Sequence, residues 1–259
     1  MRIKGSIKYE IFNRRGYFNY FGQQVFFPKD SLIFKMACEE GIYDATLLNY
    51  IKHFLKPGTT FFDVGTNIGL ISMPVLLDQH FNGKVVSVEP TPAVLEHLRK
   101  TREQFSGKDR WTIIERAVAD FNGEVDFSVK ADLDSAYYGV SAAGDNQKIR
   151  IKCNTLDEIW TQVNKPDVSV IKIDIEGYDF FALKGGAELI KKCRPVIFIE
   201  WFEEYITKYG LTHKSLLDLC KDYGYSVVCI KSLHKVSSST EMKLHQRYES
   251  NFILIPDDL

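Results

Sequence analysis

The stretch from Thr59 to Ile71 constrains the fold of this chain more than any other part of it. An apolar run ends at Asp63, two glycines follow at positions 65 and 69, and apolar residues with helical spacing come next. A strand, a tight glycine turn and a helix form the first half of a nucleotide-binding βαβ unit. Because glycine lets the backbone turn sharply and approach a ligand closely, we expect a ligand beside this turn. The N–H groups of the following helix are expected to point at that ligand.

Two other nucleotide-binding motifs do not fit this stretch. The dinucleotide fingerprint needs a glycine where this chain has Asn67, and a P-loop needs a Gly-Lys-Ser/Thr sequence that does not follow here. The helix after the turn is expected to run to about Asp78. Since Pro74 lies inside that span, we expect a kink or a local break there.

Composition and charge set bounds on the class of protein. The chain has 259 residues, of which 45% are hydrophobic and 26% charged, as is usual for a soluble globular protein of this length. The net charge of -1 favours neither nucleic acid nor a membrane surface as a partner. Its five scattered cysteines indicate neither a disulfide framework nor a zinc site. We find no signal-peptide pattern and no apolar run long enough to span a membrane, so we expect a cytoplasmic protein.

The rest of the chain alternates strand-like apolar runs with helical periodicity, which predicts an α/β fold with a doubly wound sheet. Residues 1–57 differ, because they indicate a short hairpin around Gly22, a helix capped by Asp30 or Ser31, and a second helix from Thr46 to Leu55. We therefore predict an N-terminal extension over 1–57 and a main domain over 58–259. Six further runs in the main domain have the character of strands, at 84–89, 111–118, 168–174, 195–200, 225–230 and 252–256.

Acidic residues stand at the ends of four predicted core strands. They are Asp63, Glu89, Asp174 with Glu176 just beyond it, and Glu200. Open α/β sheets bind ligands at the carboxyl ends of their strands, so these side chains are expected to share one rim. Like charges gathered there are unfavourable unless hydroxyls or a cation bind them. Glu89 stands near the position where dinucleotide folds place the acid that accepts the hydroxyls of a ribose.

Five motifs in a fixed order carry a resemblance to a known family. Asp63–Gly69 resembles the Asp-Val-Gly-Ala-Asn-x-Gly motif of FkbM-type S-adenosylmethionine-dependent methyltransferases, with Thr66 in place of the alanine. The other four segments resemble later motifs of the same family and extend the match over residues 41 to 201. They are Val88–Pro90, Ala117–Asp120, Ile171–Gly177 with the helix behind it, and Arg194–Glu200.

The resemblance implies a class I methyltransferase fold, a Rossmann-like and mostly parallel sheet of seven strands with helices on both faces. It implies methyl transfer from S-adenosylmethionine to a hydroxyl, usually of a sugar or of another small molecule. By this analogy Gly65, Asn67 and Gly69 line the methionine and ribose, Glu89 holds the ribose, and residues around Ala117 lie near the adenine. The full set of predicted cofactor-binding residues is Asp63, Gly65, Thr66, Asn67, Gly69, Glu89, Pro90, Ala117 and Asp174.

Methyl transfer to a hydroxyl benefits from a general base, and the candidates must lie on the rim of the sheet. Asp174, Glu176 and Glu200 are the predicted catalytic residues, and each of them could accept the proton. Lys172 shares a strand face with Asp174 and is predicted to keep a neighbouring carboxylate ionised. Asp174 and Glu176 could instead cap a helix. A Mg²⁺ ion on Asp174 and Glu200 is a further alternative, but a third ligand is missing, so we predict no metal.

Two loops are candidates to cover an acceptor. One is 131–147, where Tyr137 and Tyr138 could stack on a sugar, and the other is 231–249, which holds His234 and His245. Both could equally be solvated surface loops. The oligomeric state cannot be inferred from the sequence.

Two rival functions share some of these features. An NAD-dependent oxidoreductase also begins with a βαβ unit and a ribose acid, although Asn67 replaces the glycine that its phosphate contact needs. A methyltransferase-like binding protein without activity would keep the fold and lose the acceptor chemistry. The acidic residues at 174, 176 and 200 argue against that second reading.

Overall fold

The computed structural model describes residues 5–128, 139–140 and 148–259. Tyr137 and Tyr138, which enter the expectations above, lie outside these residues, as does most of the predicted loop 131–147.

The described chain alternates helices and strands as the periodicity predicts. The α-helices are α1 (Gly5–Arg15), α2 (Leu32–Glu40), α3 (Ala45–Phe54), α4 (Ser72–Leu76), α5 (Pro92–Gln104), α6 (Leu156–Gln162), α7 (Asp179–Lys184), α8 (Ala187–Cys193), α9 (Glu203–Ile206), α10 (His213–Tyr223) and α11 (Ser239–His245). The strands are β1 (Tyr17–Tyr20), β2 (Gln23–Phe26), β3 (Thr60–Val64), β4 (Lys84–Val88), β5 (Trp111–Ile114), β6 (Ala117–Val118), β7 (Gly123–Ser128), β8 (Gly139–Val140), β9 (Lys148–Asn154), β10 (Val168–Ile173), β11 (Val196–Glu200), β12 (Tyr225–Cys229), β13 (Lys235–Val236) and β14 (Asn251–Pro256). Short 3₁₀ turns occupy Lys108–Arg110 and Thr207–Tyr209.

The main sheet has the order β13-β12-β14-β11-β10-β3-β4-β5. Strands β3, β4, β5, β10 and β11 pair in parallel, while β14 is antiparallel to both of its neighbours. The mostly parallel class I sheet is therefore confirmed, but it has eight strands in the described chain instead of the predicted seven. The eighth, β13, spans two residues, too few to produce a periodic signal in the sequence.

Alternate residues of the central strands face two separate cores, because successive side chains of a strand point to opposite sides. Phe61 on β3 packs with the N-terminal hairpin and with α2 to α5, whereas its neighbour Phe62 packs with α6, α7, α8 and α10. Both phenylalanines are fully buried. The sheet is thus covered on both faces, as predicted.

The N-terminal segment contains the predicted hairpin, β1 paired antiparallel with β2. Ser31 caps α2 by accepting a hydrogen bond from the backbone N–H of Phe34, which decides between the two predicted caps. Helix α1 was not predicted, since its sequence shows little amphipathic periodicity. The described part of this segment shares one core with β3, so the boundary at residue 57 stays a prediction about sequence organisation.

Two local predictions about the main domain are wrong. The helix after the glycine turn is short and begins at Ser72, so Pro74 lies in its first turn, where a missing N–H costs no helical hydrogen bond and causes no kink. The predicted third strand is two strands, because the chain leaves the main sheet after Ile114 and enters a second sheet at Ala117. That second sheet has the order β6-β9-β7-β8 and contains the antiparallel pair β7–β9. No helix in the described part of the chain is long and apolar enough to cross a membrane.

Candidate active site

A cleft opens at the carboxyl ends of β3, β4, β10 and β11, which is the edge where the sequence places its acidic residues. Seven of the predicted cofactor residues line the cleft together, and so do all four predicted catalytic residues, Asp174 belonging to both groups. The predicted residues at the cleft are Gly65, Thr66, Asn67, Glu89, Pro90, Ala117, Lys172, Asp174, Glu176 and Glu200.

Gly65 directly follows β3 and packs against the backbone of Asp174, which directly follows β10. Its φ is +80°, and a Cβ atom at this position would lie 1.9 Å from the carbonyl oxygen of Asp174. A side chain cannot be accommodated against backbone at that distance. Position 65 therefore requires glycine for two reasons, the positive φ and the close contact with Asp174.

The backbone of the glycine turn makes its hydrogen bonds within the protein. The N–H groups of Gly65 and Thr66 both donate to the carbonyl of Val88, and the N–H of Asn67 donates to Glu89. The expected row of free helix N–H groups at the ligand is therefore wrong, since α4 begins beyond the turn and these donors already have partners.

Asp63 and Gly69 do not line the cleft. The fully buried Asp63 carboxylate accepts hydrogen bonds from the hydroxyls of Thr66 and Ser72, at 2.7 and 2.5 Å, which anchors the turn from behind. Gly69 has a φ of +84° and packs against the ring of Trp111. Both residues support the shape of the turn from outside the cleft.

Glu89 is buried at the end of β4, with only 5% of its surface exposed. Its two carboxylate oxygens accept hydrogen bonds from the backbone N–H groups of Asn67 and Thr91, each at 2.9 Å. Burial raises the pKa of Glu89, although the bonds donated by Thr91 and Asn67 oppose that shift. The Thr91 hydroxyl is a third donor to this carboxylate, and since a carboxylate has about four acceptor positions, it keeps room for a further donor in the cleft. This chemistry fits the two hydroxyls of a ribose.

Lys172 brings positive charge to the floor of the cleft. Its ammonium lies 3.1 Å from Oδ2 of Asp174 and 3.7 Å from Oδ1 of Asp63, and it donates to the carbonyl of Gly65 at 3.3 Å. Burial disfavours the charge on Lys172, but the carboxylates of Asp174 and Asp63 outweigh it and raise the lysine pKa. The side chain of Lys172 is 5% exposed and that of Asp174 is 30% exposed, so the ion pair presents its carboxylate to the cleft.

The turn after β10 gathers further acidic groups. Glu176 has a φ of +59°, and burial, together with the charges of Asp174 and Asp179, raises its pKa to about 8. Asp179 is fully buried and accepts hydrogen bonds from the backbone N–H groups of Ile175 and Gly177. Burial and the charge of Asp174 raise the pKa of Asp179 to about 7. Helix α7 starts at Asp179, so neither Asp174 nor Glu176 caps it.

Glu200 faces the same cleft from the end of β11. Burial and the nearby charges of Asp174, Glu176 and Asp179 raise its pKa well above the ordinary value. A side-chain hydrogen bond with Asp174 raises the pKa of Glu200 further.

Residues from outside the predicted motifs complete the walls. Three tyrosines, Tyr43, Tyr178 and Tyr205, line the cleft, and so does the apolar side of α2 through Ile33 and Met36. Nothing in the sequence of residues 1–57 carries a motif that would reveal this role. For Asp179 the available signal was an acid at the start of a helix, just after Glu176 and Gly177.

The segment 231–249 does not cover this cleft in the described structure. His234 and His245 lie side by side with ring centroids 5.8 Å apart, and neither lines the cleft. Of the two histidines on α3 and α5, His53 is exposed and His97 is half-buried. Within residues 5–128, 139–140 and 148–259, no three His, Cys, Asp or Glu side chains are arranged to hold a metal ion.

Comparison with known proteins identifies the family of this chain. A family model described as the methyltransferase FkbM domain matches residues 63–227, more than half of the chain. The chain belongs to the FkbM methyltransferase family. Its cofactor is therefore S-adenosylmethionine, and the alternative function as an NAD-dependent oxidoreductase is excluded. The resemblance drawn from the five motifs is confirmed.

Individual relatives are distant. The 2-O-methyltransferase NoeI of Sinorhizobium fredii is 23% identical over 65% of this chain and 73% of its own length. A carboxy-S-adenosyl-L-methionine synthase of Citrobacter koseri is 21% identical over 70% of this chain and 78% of its own. The solved FkbM methyltransferase of Methylobacillus flagellatus superposes with a TM-score of 0.51 and 18% identity, over 85% of this chain. This chain spans 52% of that protein, and the similarity supports the fold alone.

Proposed function

We propose that this methyltransferase acts on oxygen, transferring the methyl group to a hydroxyl of a sugar or a sugar-like small molecule. The observation that carries the proposal is the Lys172–Asp174 ion pair, which opens its carboxylate to the cleft. A carboxylate held in its charged form is the group that a hydroxyl needs to lose its proton. The similarity to NoeI, whose name describes a 2-O-methyltransferase, supports oxygen as the acceptor atom.

The cofactor-binding half of the cleft is assigned to the residues around the glycine turn. Glu89 accepts the ribose hydroxyls with the acceptor capacity that Thr91 and Asn67 leave. The backbone from Gly65 through Thr66 to Asn67 lies along the ribose and methionine, and Pro90 and Ala117 flank the adenine. Asp63 and Gly69 act indirectly, by holding the turn in shape.

S-adenosylmethionine, when bound, supplies a methyl group already activated by a positive sulfur, so the protein has mainly to position the acceptor and take up its proton. Asp174 is the proton acceptor in this proposal, because Lys172 stabilises its negative charge. Burial and the charges of Asp174 and Asp179 raise the pKa of Glu176 to about 8, so Glu176 is mostly protonated near neutral pH. It therefore donates a hydrogen bond to an acceptor oxygen instead of competing for the proton.

The acceptor side of the cleft suits a sugar. The rings of Tyr43, Tyr178 and Tyr205 offer flat apolar faces with a polar hydroxyl at the edge, and sugars present both kinds of surface. Ile33 and Met36 add an apolar wall. Acidic side chains of the same cleft accept hydrogen bonds from sugar hydroxyls when they are charged, and donate hydrogen bonds to them when they are protonated.

Replacing Asp174 by Asn tests the proposed base. The wild-type protein is incubated with S-adenosylmethionine carrying an isotope-labelled methyl group and a panel of monosaccharides and oligosaccharides. On a sugar that accepts label, Asp174→Asn is expected to lower kcat by roughly 10²- to 10⁴-fold, the usual contribution of a general base. The Kd of S-adenosylhomocysteine, measured by calorimetry, is expected to stay within a few fold.

The matched control is Asp222→Asn, which removes an exposed acid near the end of α10 and is expected to leave both quantities unchanged. Loss of S-adenosylhomocysteine binding in Asp174→Asn would assign this carboxylate to the methionine ammonium of the cofactor instead. Cofactor binding without label transfer to any sugar would contradict the proposed substrate class and favour a binding protein.

A further inference from the structure

A second cavity lies beside the candidate active site, and α9 contributes to both. Tyr205 on α9 lines the active-site cleft, whereas Glu203 and Ile206 of the same helix line the second cavity. The other walls come from the N-terminus of α10 and from α11 with the residues just after it. The cavity encloses about 460 Å³, which lies in the range of small-molecule sites.

His213 is the first residue of α10 and forms part of the cavity wall. It is only 6% exposed, and neither of its ring nitrogens has a hydrogen-bond partner in the described part of the chain. A buried polar group without a partner costs about 1–3 kcal/mol, so such groups in folded proteins are normally satisfied by protein, water or a ligand. The imidazole is thus an unexplained donor at a cavity.

The charges around His213 favour an anion. Lys243 pairs with Glu203 at 3.0 Å, which neutralises both. Arg247 also lines the cavity, and within the described residues its guanidinium forms no ion pair. Helix α10 is eleven residues long and has no acidic residue in its first turn, and its only cap is the uncharged capping box of Thr212 and Ser215, so no carboxylate of the helix itself offsets its positive end.

We propose that this second cavity binds a phosphate-type oxyanion, held by the imidazole of His213, the guanidinium of Arg247 and the N-terminus of α10. The planar guanidinium is suited to two parallel hydrogen bonds with such a group. Apolar side chains of Ile206 and Leu211 form the rest of the wall and would contact an uncharged part of the same molecule. The oxyanion is either free in solution or carried by a sugar.

Phosphate titration of the 259-residue chain tests this site without S-adenosylmethionine or an acceptor, so its outcome is independent of the proposed methyl transfer. The chain is kept in a phosphate-free buffer at constant ionic strength, adjusted with chloride. Inorganic phosphate is expected to raise Tm by mass action and to shift the ¹H–¹⁵N imidazole signals of His213, assigned from the spectrum of His213→Gln.

Arg247→Gln removes the guanidinium from an exposed position and is expected to weaken phosphate binding about 10-fold, the effect of losing one charge-assisted interaction. Lys221→Gln, a change of the same charge at the exposed far end of α10, is expected to bind phosphate like the wild type. Imidazole signals of His213 that do not respond to phosphate, or equal binding by the two variants, would overturn the proposal.

Glucose 6-phosphate and glucose distinguish the source of the oxyanion. Tighter binding of glucose 6-phosphate than of inorganic phosphate supports a sugar-borne phosphate, and equal binding supports a free one. If glucose binds as tightly as its phosphate, the charge plays no part and the proposal fails.

Discussion

Gly65 is the residue on which the geometry of the cleft depends most strictly. Replacement by Ala would put a Cβ atom 1.9 Å from the carbonyl oxygen of Asp174 at a φ of +80°, so β3 and β10 would have to separate. We expect Gly65→Ala to lose S-adenosylhomocysteine binding and to lower the free energy of unfolding by well over the 1–2 kcal/mol that left-handed backbone alone costs an alanine.

Gly22 provides a matched control, because its φ is +77° and a Cβ there would meet nothing within 4 Å. Gly22→Ala is expected to pay only the conformational cost and to bind S-adenosylhomocysteine normally. Calorimetry and urea denaturation of both variants make the comparison. Equal losses of stability would mean that the close approach to Asp174 carries no weight.

The sequence was sufficient to predict that single acidic residues lie at the cleft, because the prediction depends only on the geometry of a parallel sheet. Each strand that ends in an acid brings that acid to the same edge of a parallel sheet, and Glu89, Asp174 and Glu200 do line one cleft. Tyr43 and Tyr205 could not be found in this way. Tyr43 reaches the cleft from the turn between α2 and α3, and Tyr205 from α9. The docking of these segments on the sheet is decided by tertiary packing, which local periodicity does not encode.

At the scale of elements, the turn from Asp174 to Asp179 contains three carboxyl groups that interact electrostatically, those of Asp174, Glu176 and Asp179. The pKa of Glu176 is about 8 in the folded chain against an ordinary 4.5, so the folded chain holds a proton that the unfolded chain has released over this interval. Stability supported by that proton is complete below about pH 4.5 and falls as the pH rises to about 8.

Glu176→Gln removes this titration. The wild type is expected to lose on the order of 2–4 kcal/mol more unfolding free energy than the variant between pH 5 and pH 8.5. Denaturation curves at both pH values give the difference, and Glu103→Gln, at an exposed position of α5, is the control expected to follow the wild type. A pH slope in Glu176→Gln as steep as in the wild type would contradict the raised pKa.

The predictions from sequence were wrong about where two elements, α4 and β6, begin. Helix α4 was predicted too long because Ile68 and Ile71 have helical spacing, yet residues 67–71 form turns and bury those side chains in the core. Strand β6 was merged with β5 because Glu115 and Arg116 interrupt the apolar run too briefly to predict a change of sheet. Core burial produces both patterns, so periodicity alone does not separate a helix from a turn that is equally buried.

At the scale of the whole molecule, the N-terminal segment and the main sheet share one core. Phe34 of α2 is fully buried, stacks on Phe27 with ring centroids 3.8 Å apart, and belongs to the same cluster as Phe61 of β3. We therefore expect the segment and the sheet to unfold together, in a single transition.

Phe34→Ala tests this cooperativity. Truncating a buried phenylalanine is expected to cost about 3–5 kcal/mol. All three tryptophans, Trp111, Trp160 and Trp201, lie outside the N-terminal segment, and Trp160 and Trp201 belong to the core on the other face of the sheet, so tryptophan fluorescence follows the unfolding of the main domain. The fluorescence midpoint is expected to fall together with the midpoint of far-UV circular dichroism, while Phe21→Ala, at an exposed ring, changes neither appreciably. An unchanged fluorescence midpoint would mean that the segment folds separately.

The central claim of this account is that adenosine lies across the carboxyl ends of β3 and β4, with its ribose on Glu89. A crystal structure with S-adenosylhomocysteine tests it most directly. The account predicts both ribose hydroxyls within hydrogen-bond distance of the Glu89 carboxylate, and the homocysteine part against the backbone of Gly65. Density for the ligand at another place, or a ribose held by groups other than Glu89, would contradict it.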